Sequence, residues 1–385
     1  MAGRSGTSQT SLASTAARTD AEFMRRALRL AERGRGRTAP NPIVGAVLVR
    51  AGNVVGEGWH HAVGRDHAEV EALARAGRRA RGATLYVTLE PCAHWGRTPP
   101  CADAIIAAGV TRCVVATRDP DPRVNGRGLR RLRAAGVRVE IGLLADQART
   151  QLAGYRGALE RGVPRITWKV ASTLDGRIAD AARRSRWITG AAARADGHRL
   201  RALCDAIVVG AGTARADDPR LTARGRALAR DLQPLRVVVD SRLALPRTLR
   251  LFAPPLARGT VVACTKSAPG ARERWLVARG VRVWRLAAQR GRVSPAALAA
   301  PLVREGRHEV LLEGGATLGS AFLRAGLVQR LVLYTAPLVL GGGVSWCEGL
   351  DRRLADATRG CVLSMSRMGG DVKLVVELEL TCSRD

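Results

Sequence analysis

Apolar residues stand three and four positions apart at Phe23, Met24, Ala27, Leu28 and Ala31, directly after Thr19-x-x-Glu22. That spacing predicts a helix opened by a capping box and ended by Gly34. Thr38-Ala39-Pro40-Asn41-Pro42 cannot continue it, because each proline restricts itself and the residue before it. The segment reads as a rigid loop that can present Asn41 to a ligand. Apolar runs at 44–49 and 54–58 flank Gly52-Asn53 and read as a β-hairpin. A helix is expected from His67 to about Ala80, then a buried strand over 83–89 that delivers Cys92. Cys101 opens a helix over 102–108, and strand, helix and strand follow at 114–116, 129–135 and 137–141. Such alternation argues an α/β layered domain.

Leu144, Ala148, Leu152, Tyr155 and Leu159 fall on one helical face, and Gly162 and Pro164 end that helix. Strand patterns then recur at 166–171, 206–209, 235–240, 260–263, 281–284, 310–312, 331–336 and 372–380, most of them separated by helical patterns. The expected organisation is a disordered tail over 1–18 and a first α/β domain over 19–144. A connecting helix and linker over 145–164 lead to a second α/β domain over 165–385. The two halves share no motif, so no internal repeat is read.

At 385 residues the length suits two domains, and 46% hydrophobic residues give each half enough apolar material for a core. The net charge is +30, and only three of the 63 basic residues are lysine: Lys169, Lys266 and Lys373. The arginines are scattered rather than gathered in one block. They read as a chain-wide bias and not as a nucleic-acid-binding arm. Eight cysteines in a chain of this length do not make a disulfide scaffold, and no signal peptide is read. A reducing, cytoplasmic setting fits. No apolar run approaches the ~20 residues that span a bilayer, so no membrane partner is expected. Residues 1–18 are rich in Ser, Thr and Ala and hold no acid, which gives a weak transit-peptide likeness and no apolar face to bury.

The chemistry concentrates between His67 and Cys101. His67-Ala68-Glu69 is followed by Glu90-Pro91-Cys92 and then Cys101. One imidazole and two thiols can give three ligands to a tetrahedral zinc and leave the fourth position to water, the pattern of a catalytic site. Glu69 is then spare to take up and return protons. H-x-E followed by P-C-x-x-C is the zinc deaminase signature, with the glutamate outside the ligand set. Here the second cysteine comes nine positions after the first instead of three. Taken singly these residues are an ordinary helix start and two buried thiols. Their types in this order favour zinc. His60 and His94 are rival ligands, and His94, inside the loop between the cysteines, reads rather as part of the pocket.

In the second half, Glu313-Gly314-Gly315-Ala316-Thr317 lies between a strand and a helix over 318–325. Close-approaching amides at a helix N-terminus suit a pyrophosphate, though a plain strand–helix turn has the same pattern. Gly210-Ala211-Gly212-Thr213-Ala214-Arg215 resembles G-x-G-x-x-G but lacks the third glycine. Arg201 and Arg224 could grip a phosphate bidentately.

Taken together, Asn41-Pro42-x-Val44-Gly45, His67-Ala68-Glu69 and the run from Thr88 to Cys101 (Thr-Leu-Glu-Pro-Cys-x-His-x-Gly-Arg-Thr-Pro-Pro-Cys) resemble the RibD family of bifunctional riboflavin biosynthesis proteins. That family carries the long step between its two cysteines. Asp119-Pro120-x-Pro122 with Gly126-x-Gly128 fits as well. So do Ser172-x-Leu174-Asp175-Gly176-Arg177, Trp187-Ile188-Thr189, Thr213-x-x-Ala216-Asp217-Asp218-Pro219-x-Leu221-Thr222 and Glu313-Gly314-Gly315. The resemblance spans about residues 20–380, with the motifs in family order.

The resemblance implies an N-terminal cytidine-deaminase-like three-layer αβα domain followed by a dihydrofolate-reductase-like α/β domain. It implies zinc on His67, Cys92 and Cys101, with Glu69 catalytic. It implies NADPH held by Ala171, Trp187, Thr213, Asp217, Ser241, Gly315, Ala316, Thr317, Leu318, Gly319, Ser320 and Ala321. Asn41, Ser185, Arg201, Leu221, Arg224 and Glu313 would hold small-molecule phosphoribosylaminopyrimidine substrates, and Lys169 and Asp217 lie near the reacting ribose. Self-association into a homo-oligomer is the family tendency. Two alternatives differ in class. One is an RNA-editing deaminase with an accessory domain, which the positive charge suits. The other is a chain in which one domain has lost its activity.

Overall fold

The computed structural model describes residues 8–96, 99–224, 233–350 and 352–379, with side chains described from Asp20 onward. Residues 1–7, Arg97 and Thr98 of the long cysteine loop, and Leu380 at the end of the last expected strand lie outside the described residues. The chain divides between Glu160 and Arg161 into two compact units.

The first unit contains α1 (Ser8–Ala31), β1 (Gly45–Arg50), β2 (Asn53–Trp59), α2 (Ala68–Ala76), β3 (Thr84–Val87), α3 (Cys101–Ala107), β4 (Arg112–Val115), α4 (Arg127–Ala134), β5 (Arg138–Ile141), α5 (Ala145–Gln151) and α6 (Ala153–Arg161). Its sheet runs β2-β1-β3-β4-β5, antiparallel around β1 and parallel from β3 to β5. Alternate strand residues face opposite layers. Ala46, Leu48, Leu85, Val87, Cys113 and Val115 join the core under α2, α3 and α4. Val47, Val49, Tyr86 and Val114 join the core under α1 and α5. The unit is a three-layer αβα sandwich. Gly45 lets α1 sit directly on β1, since a Cβ there would lie 2.0 Å from the Ala27 carbonyl oxygen.

The second unit contains β6 (Arg165–Thr173), β7 (Arg177–Ala179), α7 (Ala191–Ala202), β8 (Ala206–Gly210), α8 (Ala211–Asp217), β9 (Leu235–Val239), β10 (Thr260–Thr265), α9 (Gly270–Val277), β11 (Arg282–Leu286), β12 (Ala288–Gln289), β13 (Arg292–Val293), α10 (Pro295–Arg304), β14 (Glu309–Leu312), α11 (Ala316–Arg324), β15 (Arg330–Ala336), β16 (Val344–Ser345), β17 (Gly360–Met368) and β18 (Asp371–Leu378). The main sheet runs β11-β10-β9-β8-β14-β6-β15-β18-β17. It is parallel from β11 to β15, and β18 and β17 close it antiparallel. Ile207, Val209, Val238 and Val262 feed one core, and Ala206, Val208, Val237 and Val261 the other. Strands buried on both faces explain why their sequence reads as unbroken apolar runs.

Three expectations are corrected. The first helix begins at Ser8, so the Thr19 capping box lies inside it and the expected tail over 1–18 is partly helical backbone. The connecting helix expected within 145–164 is two helices that break at Leu152. Leu152 is buried beside Ala31, Ile43 and Leu89, with Tyr155 packed against them, so this segment belongs to the core of the first unit up to Glu160. Strand β17 was not expected, because all but the last of its nine residues are exposed and its pattern carries no buried face.

Candidate metal centre and the cavity of the second unit

His67 is the N-cap of α2, and Cys101 is the first residue of α3. Cys92 lies in the loop that follows β3. The helix starts therefore bring an imidazole and a thiol from two helices to one point beside the strand end. His67 Nδ1 lies 3.0 Å from Cys101 Sγ and 3.6 Å from Cys92 Sγ. The three donor atoms all lie within 4.8 Å of one another. A tetrahedral zinc with ordinary bond lengths needs N···S near ~3.6 Å and S···S near ~3.8 Å, so this donor set fits the ion in both chemistry and size.

The Cys101 N–H donates to Cys92 Sγ at 3.3 Å. The hydrogen bond between the two sulfurs splits their acidities, pulling Cys92 to about 4 and pushing Cys101 up. A low-pKa thiol next to a donor is how a cysteine becomes a ligand near neutral pH. Glu69 sits on the first turn of α2, is 3% exposed, and is lifted to about 7 chiefly by burial. A carboxyl held near neutrality can both accept and return a proton.

Two residues named from the sequence, His60 as a rival ligand and Glu90 as part of the cysteine motif, turn out to have supporting roles. His60 uses both ring nitrogens, Nδ1 toward the Asp66 carbonyl oxygen and Nε2 toward the Asn41 amide, each at 3.1 Å. It is thus no ligand. It holds Asn41 in place, with its ring edge-on to His67 at 5.4 Å between centroids. Glu90 receives backbone N–H groups of Gly126 at 2.9 Å and Gly128 at 3.1 Å. A buried carboxylate at the start of α4 thereby ties down the chain two residues before Cys92. His94 does not join the donor group either.

The second unit holds a cavity of about 2220 Å³ at the carboxyl ends of β6, β8, β9 and β14. Ala171, Ser185, Trp187, Arg201, Thr213, Asp217, Arg224, Ser241, Glu313, Gly315, Ala316, Thr317, Leu318 and Ala321 line it, as does Lys169. Gly315 is the N-cap of α11, and its N–H donates to Thr213 Oγ1 at 3.1 Å. Three expected contacts do not reach the wall. Leu221 is 1% exposed in the core. Gly319 faces the Trp168 indole. The Ser320 hydroxyl oxygen accepts the Glu348 N–H at 2.9 Å.

Arg201 donates to both Glu313 oxygens, at 2.8 and 2.6 Å. Burial opposes charge on both partners, and the paired bonds overcome it, so Glu313 stays below and Arg201 above its ordinary value. Asp196, Tyr334 and Lys373 form a network under Lys169 that sequence reading missed. Tyr334 Oη and Lys373 Nζ each donate to Asp196 Oδ2 at 2.6 Å. Lys169 and Lys373 lie 5.9 and 5.8 Å from the Tyr334 ring. Two of the chain's three lysines thus flank one ring beside the cavity.

The family model for the RibD C-terminal domain matches residues 164–373. That for the cytidine and deoxycytidylate deaminase zinc-binding region matches residues 17–117. The chain is 42% identical to the riboflavin biosynthesis protein RibD of Escherichia coli K12 over 368 residues, 92% of this chain and 98% of that one. It is 45% identical to the RibD of Chlamydia trachomatis over 360 residues, 92% and 94% of the two chains. Among solved structures, Acinetobacter baumannii RibD matches with TM-score 0.85 at 38% identity, covering 94% of this chain and 99% of that one. A diaminohydroxyphosphoribosylaminopyrimidine deaminase/5-amino-6-(5-phosphoribosylamino)uracil reductase from Thermotoga maritima matches with TM-score 0.83 at 32% identity and the same coverage. Similarity of this extent takes in both halves, which an RNA-editing deaminase with an unrelated accessory domain does not explain.

Proposed function

This chain belongs to the RibD family, and from that membership and the two sites we propose how its own residues divide the work. The protein is a bifunctional enzyme of riboflavin biosynthesis with zinc and NADPH as cofactors. It deaminates 2,5-diamino-6-(5-phosphoribosylamino)pyrimidin-4(3H)-one hydrolytically. It then reduces the ribosyl chain of 5-amino-6-(5-phosphoribosylamino)uracil to ribityl. The deaminase is assigned to the first unit and the reductase to the second.

His67 Nδ1, Cys92 Sγ and Cys101 Sγ would hold zinc, which when bound would supply Lewis acidity toward the attacking water. The Glu69 carboxylate would take a proton from the attacking water and return it to the amine as this leaves as ammonia. Burial favours the neutral carboxyl, so proton uptake by Glu69 is matched to the reaction. Asn41, fixed by His60, orients the pyrimidine.

NADPH supplies the hydride in the second unit. Ala171, Trp187, Thr213, Asp217, Ser241, Gly315, Ala316, Thr317, Leu318 and Ala321 would hold it. Leu318 and Ala321 line the wall, and Gly319 and Ser320 support the helix from its far side. Ser185, Arg201, Arg224 and Glu313 hold the phosphorylated substrate, with Leu221 supporting the loop from the core. Arg201 spends three of its five N–H donors on Glu313 and the Thr222 carbonyl oxygen. The exposed Arg224 is therefore the freer grip on phosphate.

The substrates are free small molecules, without nucleic acid. None of the described helices is long and apolar enough to cross a membrane. Thiolate ligands favour a reducing cytoplasm. The exposed edge strand β17, with Val362, Leu363 and Met365 open to solvent, supports a homo-oligomer.

The gathering of three metal donors around a buried carboxyl carries this reading. A coupled assay tests it. The diaminopyrimidine phosphate should release ammonia without NADPH, and NADPH oxidation should begin only once deaminated product is present. No ammonia refutes the first assignment, and no oxidation with synthetic deaminated product refutes the second.

A further inference from the structure

We propose that Asp196, Tyr334 and Lys373 are positioning residues of the reductase, and that they act by holding the Lys169 ammonium in place beside the reacting ribose. The proposal rests on the reading of the cavity as the reductase site with Lys169 at its reacting end, and it concerns residues which that reading does not use.

Strand register gathers these side chains on one face. Lys373 on β18 is paired with Tyr334 on β15, and Tyr334 with Ala171 on β6. Directly paired residues share a face, and so do residues two apart on one strand. Lys169, two positions before Ala171, therefore joins Tyr334 and Lys373 under α7. That helix packs Ala193 against Val332 and Tyr334 and brings Asp196 to the same spot. Gly197 comes next. A Cβ there would lie 3.9 Å from Lys169 Cε, so α7 runs along the stem of that lysine.

The fold alone gives little reason for these polar groups. Tyr334 Oη and Lys373 Nζ converge on a single oxygen, Asp196 Oδ2, each at 2.6 Å. The Asp196 and Lys373 side chains are largely buried, and Tyr334 is fully so. Apolar side chains of like volume are often as stabilising as a buried ion pair. Composition points the same way. Only three of the 63 basic residues are lysine, and two of the three meet at this ring. In a chain that uses arginine almost everywhere else, a lysine marks a place where a compact ammonium differs in effect from a planar guanidinium.

The network fixes the Tyr334 ring. Asp196 anchors the ring at its hydroxyl, and the ring lies within cation–π reach of Lys169, with Nζ 5.9 Å from the centroid. Lys169 is half-buried, lines the cavity and has no hydrogen-bond acceptor among the described residues. Its N–H donors are left for the ribose. In the reduction, hydride reaches C1′ as the C1′–O4′ bond breaks, and the ring oxygen keeps the electron pair and takes a proton. An ammonium that meets this oxygen must be closely placed, since a misplacement of about 1 Å can cost roughly 10²-fold in rate.

Reduction of 5-amino-6-(5-phosphoribosylamino)uracil by the full-length protein tests this, with thermal melts alongside. Tyr334→Phe removes the anchor and keeps the ring. It should lower kcat about tenfold, as loss of a hydrogen bond to a charged group implies, with KM for both substrates held. The triple variant Asp196→Leu, Tyr334→Phe, Lys373→Met replaces the network by apolar groups and strands no charge. It should melt at or above the temperature of the unaltered protein and still reduce about tenfold more slowly. A normal kcat in that variant makes the network structural only and overturns the proposal, as does a raised KM with kcat held. In a Lys169→Met background, Tyr334→Phe should cost nothing more, because residues that act through one group are not additive. An equal further loss there overturns action through Lys169. A slow Lys169→Met protein beside a normal Tyr334→Phe protein overturns the proposal and leaves the site reading intact. An unchanged kcat in Lys169→Met overturns the reading of the reacting end, and the proposal with it.

Discussion

Arg201 and Glu313 form a two-pronged ion pair, with N···O distances of 2.8 and 2.6 Å, although 112 residues separate them in the chain. Their side chains are 17% and 12% exposed, so neither charge has water to fall back on. Breaking such a pair from one side strands the other charge, at a cost of roughly 3–5 kcal/mol. Arg201→Ala should therefore lower the melting temperature and abolish reduction. Arg224→Ala, at an exposed residue, should raise the KM for the phosphorylated substrate and leave the melting temperature within experimental scatter. Thermal melts beside NADPH-oxidation kinetics separate the two. Equal thermal losses would contradict the division of roles.

The metal centre and the proton carrier should come apart by mutation. Cys101→Ala removes one donor, and zinc content by elemental analysis should fall together with ammonia release. Glu69→Gln keeps all three donors, so the protein should retain zinc while deamination drops roughly 10²–10⁴-fold, the range for a lost general acid–base group. A Glu69→Gln protein that deaminates at the normal rate would move the proton-carrying role elsewhere.

The metal donors were legible because coordination chemistry admits few residue types, and His67, Glu69, Cys92 and Cys101 keep theirs in a fixed order. The central strands were legible because burial on both faces leaves an apolar run, as at Ala206–Gly210. Strand β17 was not, since an exposed edge exerts no such selection on Gly360–Met368. Nor was the Asp196 network, whose partners Tyr334 and Lys373 are 138 and 177 residues away. Glu90 looked like one letter of the cysteine motif. Its work lies in amides of a helix that starts 37 positions later, at Arg127.

Two groups of the second unit should make opposed contributions to stability in acid. Burial, followed by the charge of Arg307, lowers His308 from 6.5 to about 4. Its contribution is complete above pH 6.5 and is lost as pH falls toward 4, amounting to about 3 kcal/mol. Burial raises Asp205 from 3.8 to about 6. Its contribution is present below pH 3.8 and is lost as pH rises through 6. Between pH 6 and 4 the two slopes oppose each other. Relative to the unaltered protein, His308→Gln should gain stability as pH falls across this window, and Asp205→Asn should lose it. Denaturation midpoints at pH 4, 5, 6 and 7 check both signs, and like-signed changes would refute the assignment.

Gly319 lies in the middle of α11, where alanine is the better helix former by about 1 kcal/mol. Packing decides the other way. A Cβ at Gly319 would come within 1.9 Å of the Trp168 ring. Trp168 is 1% exposed and stands edge-on to Trp346 at 5.2 Å between centroids, so the rigid indole has no free end to yield. Overpacking of this kind costs about 1–3 kcal/mol, and the net effect of Gly319→Ala should be destabilising. The helix has to shift outward to admit the methyl group, and it carries Ala316 and Thr317 of the cavity wall with it. NADPH affinity should therefore weaken together with stability. Gly212 in α8 provides the contrast, because a Cβ there meets nothing within 4 Å. Gly212→Ala should raise the melting temperature where Gly319→Ala lowers it. A Gly319→Ala protein as stable as the unaltered chain, with unchanged NADPH affinity, would show that α11 is not seated on Trp168 in this way.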